Sequence, residues 1–171
     1  MSKIKSLHDI LVEEIQDLYN AEVQLTKTLP KVAEAITDLE FKTAIEEHWE
    51  QTKGHVRRLE EAAQLLDVTP KSTTCHAMKG LLKEGGERIK TGKAGSGRDV
   101  GIICAAQKVE HYEMAGYGCV RAYAELLGLN EVASLLHATL IEEIAADQKL
   151  NELAQRINPT AESPAELRKA S

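Results

Sequence analysis

The chain has 171 residues and a mass of 18.8 kDa, with 43% hydrophobic, 28% charged and only 4% aromatic residues. This length and balance predict one globular domain with a sizeable core and exclude a disordered chain. The formal net charge of −6 argues against nucleic acid or an anionic lipid surface as a partner. The scarcity of aromatic residues argues against a strand-rich fold.

The sequence predicts an intracellular protein without a membrane anchor. Its apolar runs are far shorter than the ~20 residues of a membrane span, and its N-terminal segment carries charges throughout instead of a signal-peptide core. The three cysteines, Cys75, Cys104 and Cys119, form neither a CxxC pair nor an even set for disulfides. We therefore expect a cytoplasmic location, where thiols stay reduced.

Four long stretches have apolar residues spaced alternately by three and four, which predicts four bundle helices. These stretches cover residues 4–37, 40–67, 99–127 and 131–157. Pro30 lies inside the first stretch and predicts a kink, with a break near Thr28. Gly128 is expected to end the third helix and Asn130 to cap the fourth.

The connections between these stretches predict the topology. The first and last connections are short, so each joins two antiparallel neighbours. The middle connection, residues 68–98, is long enough to cross the bundle and predicts a short helix over 73–90, interrupted at Gly85 and Gly86. Two hairpins joined by a crossover form the ferritin-like four-helix bundle. We therefore predict an all-α ferritin-like domain over residues 1–158 and a mobile tail over 159–171.

Acidic residues and histidines interrupt the apolar stripe of each long helix near its middle. On the antiparallel hairpins, Glu22 and His55 are equidistant from the first turn, and Glu113 and Glu143 are equidistant from Gly128. Glu22 and His55 lie about 16 residues, or about 24 Å, from their turn, and the second hairpin's groups lie at a similar depth. The stripe positions expected to converge on one layer are Glu22, His55, Glu110, Glu113, Glu143 and Asp147.

Such a layer predicts a metal site. Buried carboxylates without partners would cost several kcal/mol each, because their charge is taken out of water. One divalent cation, or a pair of them, removes this cost, and oxygen with imidazole ligands suits iron or manganese. Carboxylates can also bridge two metal ions.

Each position also has a simpler interpretation. A single glutamate often lies on a solvated flank, because a stripe assignment is uncertain by one residue. Ala21 fits the first stripe nearly as well as Glu22, and Gln51 competes with Thr52 on the second.

The other histidines are less informative than His55. His48 falls on the stripe and is either a ligand, a support for a ligand or a core histidine. His111 is expected to support a carboxylate or to line an interface, and His137 to lie at the surface. The four tyrosines are expected to pack in or beside the core, although a tyrosine near a metal can be redox-active.

Four segments of the chain resemble the YciE/YciF family of ferritin-like proteins: DLYNAEVQLTKTLPKVA, HWEQTKGHVRRLE, AAQKVEHYEMAGYG and TLIEEIAADQKLNELA. The similarity extends from about residue 6 to 157. The resemblance implies a four-helix, rubrerythrin-like fold, frequent dimers and an association with bacterial stress responses. It does not imply a defined activity.

The ligand pattern of ferritin-like di-iron proteins is a Glu on one helix and Glu-x-x-His on the next, used twice. Glu22 and Glu143 match it, and His55 can stand for its first histidine. Glu110 and Glu113 resemble the Glu-x-x-Glu of the third helix of rubrerythrin. Two positions depart from it: Thr52 stands three residues before His55, and Asp147 takes the place of the second histidine. The resemblance therefore implies a site richer in oxygen and poorer in nitrogen than the pattern.

The leading hypothesis is a cytoplasmic, homodimeric, ferritin-like stress protein with a dinuclear carboxylate site. Two iron ions are the expected cofactor and manganese is the alternative; any activity would be oxygen or peroxide chemistry. The competing hypothesis is a structural or partner-binding helical bundle with a degenerate metal site. A manganese catalase shares the same bundle and ligands, whereas no cage-forming surface that would indicate iron storage is evident.

Overall fold

The computed structural model describes residues 6–70 and 74–162, and this part of the chain contains helices and no strand. The helices are α1 (Leu7–Ala35), α2 (Leu39–Leu65), α3 (His76–Thr91), α4 (Ser96–Leu126) and α5 (Asn130–Ile157), followed by a 3-10 turn, Asn158–Ala161. None of them combines the length and the continuous apolar character that a membrane crossing needs. The prediction of four long helices and one short one is confirmed.

The four long helices form a bundle in which each helix contacts two others. Helix α1 packs on α2 and α4, and α5 packs on the same two helices. Contacts between α1 and α4 show that they are antiparallel, since Asp99 at the start of α4 binds the backbone of Thr37, while Tyr117 further along α4 contacts Glu22. Helices α2 and α4 therefore run in the same direction, and the segment between them crosses the bundle. This is the predicted ferritin-like arrangement.

The turn between α1 and α2 is fixed by two carboxylates. The side chain of Asp99 is 1% exposed and accepts hydrogen bonds from the backbone N–H groups of Thr37 (3.0 Å) and Asp38 (2.8 Å). The Asp38 side chain in turn accepts from the N–H of Phe41 at 3.0 Å and caps α2. Asp99 thereby attaches the first hairpin to the start of α4.

Helix α1 continues through Pro30, so the predicted break near Thr28 is wrong. Proline has no N–H, which leaves the carbonyl of Thr26, four residues earlier, without its helical donor. The indole N–H of Trp49 on α2 donates to this carbonyl at 2.9 Å. A neighbouring helix thus supplies the hydrogen bond that the proline removes.

Helix α3 packs along α1 and α4. It begins at His76 with Cys75 as its cap and runs without interruption through Gly85 and Gly86, so the predicted interruption is wrong. A Cβ atom at Gly85 would lie 3.5 Å from the Cβ of Ala105 on α4. An alanine at this position would make an ordinary van der Waals contact with α4, so the packing of α3 on α4 does not require glycine here.

The ends of α5 differ in part from the prediction. Gly128, with φ of +71°, ends α4 as expected. Asn130 is the first residue of α5 and not its cap, a position that Leu129 occupies without a side-chain hydrogen bond. Beyond α5, the 3-10 turn lies against the start of α4, because the Ser96 hydroxyl donates to the carbonyl of Thr160 at 2.9 Å. Residues 163–171 of the predicted mobile tail lie outside the described residues.

The apolar core consists of two clusters separated by a polar layer. The cluster on the side of the α1–α2 turn includes Leu25, Phe41, Ile45, Ile103 and Leu150. The cluster at the other end includes Leu11, Leu18, Leu59, Tyr117 and Leu136. The buried polar residues between them are Glu22, His48, Thr52, His55, Glu110, Glu113, Thr139 and Glu143.

Replacement of Trp49 by Phe should lower the free energy of unfolding by about 1–3 kcal/mol, because the Thr26 carbonyl loses the hydrogen bond from the Trp49 indole. In a Pro30→Ala background the restored backbone N–H serves this carbonyl, so the same replacement should cost less. Urea denaturation of the four proteins measures the coupling between the two positions. Purely additive effects would show that the two residues do not compensate each other.

Candidate metal centre

Six side chains from the four long helices meet in the polar layer. They are Glu22, His48, His55, Glu110, Glu113 and Glu143, and none is more than 5% exposed. Their nitrogen and oxygen atoms form two groups, each within a span of 4.8 Å: one is His48, Glu110, Glu113 and Glu143, and the other is Glu22, His55 and Glu143. Glu143 belongs to both groups, so its carboxylate lies between them.

The closest approaches in this cluster are between imidazoles and carboxylates. The Nδ1 atom of His55 lies 2.9 Å from Oε1 of Glu143 and 3.3 Å from Oε1 of Glu22. The Nε2 atom of His48 lies 3.5 Å from Oε1 of Glu110 and 3.8 Å from Oε2 of Glu143. Neither imidazole nitrogen forms a hydrogen bond with these oxygens. Nitrogen and oxygen atoms that lie close together without hydrogen-bond geometry are the arrangement expected of ligands around a shared metal ion.

The cluster concentrates polar atoms that lack hydrogen-bond partners in the described structure. Nine buried nitrogen and oxygen atoms of the six side chains are in this state, including both carboxylate oxygens of Glu113 and of Glu143 and both ring nitrogens of His48. Buried polar atoms in proteins almost always have a partner, so such a concentration requires an explanation. Metal coordination would satisfy these atoms together.

The burial of so many carboxyl groups changes their affinity for protons. Burial raises the pKa of Glu110 well above its ordinary value, and repulsion from Glu143 raises it further. Burial and the charge of Glu22 have the same effect on the pKa of Glu113. Burial alone would lower the pKa of His55, but Glu143 and Glu22 outweigh it and raise the pKa to about 10. Protons therefore supply the positive charge that a metal ion would otherwise bring.

Two residues outside the cluster hold the ring of His55. The Nε2 atom of His55 lies 2.8 Å from Oε2 of Glu142, and Arg58 donates two hydrogen bonds of 2.7 Å to the same carboxylate. These contacts with Arg58 and His55 hold the Glu142 pKa below its usual value. Donation of the Nε2 proton to Glu142 leaves Nδ1 directed at Glu22 and Glu143, which is how outer carboxylates orient metal-binding histidines.

Tyr117 orients Glu22 from the opposite side. Its hydroxyl donates to Oε1 of Glu22 at 2.5 Å, and the tyrosine is fully buried. Next to it, a Cβ atom at Gly116 would lie 2.8 Å from Cδ2 of Leu18, so glycine allows α4 to approach α1 without displacement of the Leu18 side chain. The other oxygen of Glu22 remains without a partner.

The structure brings five of the six predicted ligand positions together and leaves Asp147 outside both groups. Its Oδ1 atom lies 3.3 Å from Nε2 of His111, whose side chain is 65% exposed. The Asp147 side chain is 14% exposed and lies beside His111 near the protein surface instead of entering the layer. His111 therefore lies next to a carboxylate, which is compatible with one of its two expected roles, and His137 is exposed, as expected.

Two residues gain importance from the structure. His48, for which the sequence left three roles open, lies in one of the two ligand groups. Glu142 is partly exposed and off the apolar stripe, so no spacing rule identifies it; its role follows only from its contacts with His55 and Arg58. Thr52, the departure from the Glu-x-x-His pattern, donates its hydroxyl to the carbonyl of His48 at 2.9 Å.

A small pocket connects the cluster with the protein surface. It has a volume of about 140 Å³ and lies between α2 and α5. Its inner wall includes His48 and Glu110, and its outer wall includes Glu47, Gln51 and Lys149. Ions and other small polar species can therefore approach the cluster from this side.

Comparison with known proteins agrees with this fold. The family described as a domain of unknown function (DUF892) matches residues 6–162. Protein YciF of Escherichia coli (strain K12) is 39% identical over 164 residues, which cover 95% of this chain and 99% of YciF.

Solved structures give the same assignment. The crystal structure of the E. coli stress protein YciF has a TM-score of 0.88 and 38% identity, covering 91% of this chain and 99% of that one. YcfI of Rhodopseudomonas palustris, whose description suggests a structural role, has a TM-score of 0.84 and 36% identity, covering 88% and 96%. A protein of Xanthomonas campestris pv. campestris shares the fold at 22% identity, with a TM-score of 0.72 and coverage of 89% and 93%. The chain belongs to the DUF892 family and is a homologue of YciF.

Proposed function

We propose that the protein binds a pair of metal ions in the polar layer of its bundle, with iron as the preferred metal and manganese as the alternative. The observation that carries this proposal is the pair of ligand groups that share Glu143, formed by buried atoms without hydrogen-bond partners. The proposed ligands are Glu22, His48, His55, Glu110, Glu113 and Glu143, and Asp147 lies outside this set.

The charge and chemistry of these residues fit two divalent ions. Four carboxylates carry four negative charges when ionised, which balance two divalent cations and leave the imidazoles neutral. A set rich in carboxylate oxygen with some imidazole nitrogen suits iron and manganese. Glu143, which belongs to both groups, is placed to bridge the two ions.

The proposed activity of this site is oxygen or peroxide chemistry linked to a stress response. Reduced iron held there would supply electrons to dioxygen or peroxide. The chain's own residues orient the ligands, since Glu142 and Arg58 hold His55 and Tyr117 holds Glu22. The two apolar clusters exclude water above and below the layer. A role in a stress response is supported by the homologue YciF, which is described as a stress protein.

The alternative function is that of a structural or partner-binding bundle with a degenerate metal site. Two observations favour it: the description of YcfI suggests a structural role, and the raised pKa values of Glu110 and Glu113 allow protons to neutralise the cluster. The two functions differ in whether metal is taken up.

We also infer that the protein is a cytoplasmic homodimer. The resemblance to the YciE/YciF family supports the dimer, and the three free thiols at Cys75, Cys104 and Cys119 suit a reducing compartment. Sedimentation equilibrium tests the dimer, and a mass of one chain would exclude it.

The double variant Glu110→Gln/Glu143→Gln should lose the metal, because it removes one ligand from one group and the shared ligand from both. Anaerobic addition of Fe(II), removal of the excess and elemental analysis should give about two iron ions per chain for the unaltered protein. The matched control is Glu125→Gln/Glu152→Gln, which changes exposed glutamates on the same two helices. Full iron content in the first variant would contradict the proposal.

Metal should also raise the melting temperature of the unaltered protein. A ligand at a hundredfold excess over its dissociation constant stabilises the folded state by about 2.7 kcal/mol. The Glu110→Gln/Glu143→Gln protein should show no such shift with Fe(II) or Mn(II). No shift in the unaltered protein would support the structural alternative, and rapid peroxide turnover by the manganese-loaded protein would identify a catalase.

Replacement of Glu142 by Gln should weaken metal binding by about 10–100-fold, because the outer carboxylate that orients His55 is lost while all proposed ligands remain. Titration with Fe(II) or Mn(II) against a competing chelator measures the affinity. Glu152→Gln on the same helix is the control. An affinity equal to that of the control would mean that Glu142 does not orient the ligand.

A further inference from the structure

A second cavity lies between α1, α3 and α4, on the side of the bundle away from the polar pocket. Its volume is about 280 Å³, roughly twice that of an engineered protein cavity that binds benzene. The lining is mainly aliphatic; it includes Leu25, Leu29 and Val32 of α1, Leu81, Leu82 and Ile89 of α3, and Ile102, Ala106 and Val109 of α4. Since seven residues separate Leu25 from Val32, the cavity extends about 10 Å along the helices.

The inner end of this cavity reaches the polar layer. Ile45 and Glu110 line both the cavity and the polar pocket described above, so the two spaces adjoin at these residues. Ile45 is 4% and Glu110 is 3% exposed, which places this end deep in the bundle. A molecule filling the cavity would therefore end beside the proposed metal centre.

The outer end of the cavity is positively charged. The lining residues that are exposed include Lys31 and Lys90, and within the described ranges neither lysine has an ion pair. Residues 76–98 contain six Lys or Arg residues and two Glu residues, although the whole chain has a net charge of −6. The cavity thus combines a basic mouth with an apolar interior.

We propose that this cavity binds an amphipathic monocarboxylate of the medium-chain fatty acid class. The apolar interior fits the alkyl chain, which gains from leaving water. The carboxylate lies at Lys31 and Lys90, because at the inner end it would meet the carboxyl group of Glu110. This ligand requires no metal in the neighbouring centre, so binding is expected with and without metal.

Gly86 of α3 offers a variant that fills the cavity without disturbing the fold. It lines the cavity, and a Cβ atom built there has no neighbour within 4 Å. Leucine also favours a helix more than glycine does. Gly80 is the matched control, because it lies on the same helix, has equally free space at its Cβ and does not line the cavity. Ala106→Leu narrows the cavity from α4, and this second variant tests the same point.

Titration calorimetry with decanoate below its micelle concentration tests the binding. We expect saturable binding to the unaltered protein and to Gly80→Leu, and binding weakened by about tenfold or more in Gly86→Leu and Ala106→Leu as the apolar contact area is lost. The absence of binding to the unaltered protein, or equal binding by all four proteins, would overturn the proposal.

The charged mouth requires a separate test. The double variant Lys31→Met/Lys90→Met should weaken decanoate binding by about three- to tenfold, the effect of exposed charge pairs. Binding of decanol should not change. A preference of the unaltered protein for decanol would overturn the assignment of the carboxylate.

The alternative occupant of the cavity is a side chain of a second copy of the protein, and sedimentation distinguishes this case. Dissociation of a dimer by Gly86→Leu, together with no decanoate binding by the unaltered protein, would overturn the proposal. The calorimetric titrations are carried out on protein with and without metal. Failure of the metal proposal would leave decanoate binding intact, whereas failure of the cavity proposal would leave metal uptake intact.

Discussion

Four carboxylates buried in the middle of one small bundle are the constraint on which the rest of the structure depends. Glu22, Glu110, Glu113 and Glu143 repel each other in a medium that screens charge poorly, and two of them have pKa values well above the ordinary. The bundle compensates with two imidazoles, the hydroxyl of Tyr117 and protons. Even with these compensations, nine nitrogen and oxygen atoms of the described layer have no hydrogen-bond partner, and this supports the proposed pair of cations.

The structure around the polar layer keeps the carboxylates together although they repel each other. An apolar cluster lies on each side of it, and the burial of these two clusters stabilises the fold on both sides of the charged layer. The hydrogen bond from Trp49 keeps α1 helical through Pro30, one turn beyond Leu25, and Asp99 attaches the α1–α2 turn to α4. These contacts fix the axial register of the helices relative to one another. A ligand layer formed by four helices depends on this register.

Spacing along the sequence predicted the layer because a helix in a bundle repeats its inward face every three or four residues. Glu22 and Ala21 competed for the same stripe, and both are fully buried. The reason is that α3 also packs on α1, so that α1 buries a wider face than a helix with two neighbours. On α2, Thr52 is buried and Gln51 is exposed, so Thr52 is the residue that lies on the inward stripe.

Contacts between residues distant in the sequence limited the prediction. The donor that compensates Pro30 lies on another helix, so the expected break followed from local rules alone. Asp147 shares the stripe by spacing, but its side chain lies beside the exposed His111, a contact that spacing along the chain does not reveal. Glu142 reaches His55 from beside the stripe, and only the packing of α5 on α2 reveals it.

Glu110 and Ile45 separate two spaces of opposite character, a polar pocket and an apolar cavity. A ligand in either space would lie beside the same carboxyl group, so each ligand could alter the affinity for the other without being required for its binding. Thermodynamic linkage requires this influence to be mutual: the factor by which a metal ion alters the affinity for an apolar chain equals the factor by which the chain alters the affinity for metal. Because Ile45 and Glu110 line both spaces, any coupling between the two proposed sites would act through these two side chains and would need no movement of a helix.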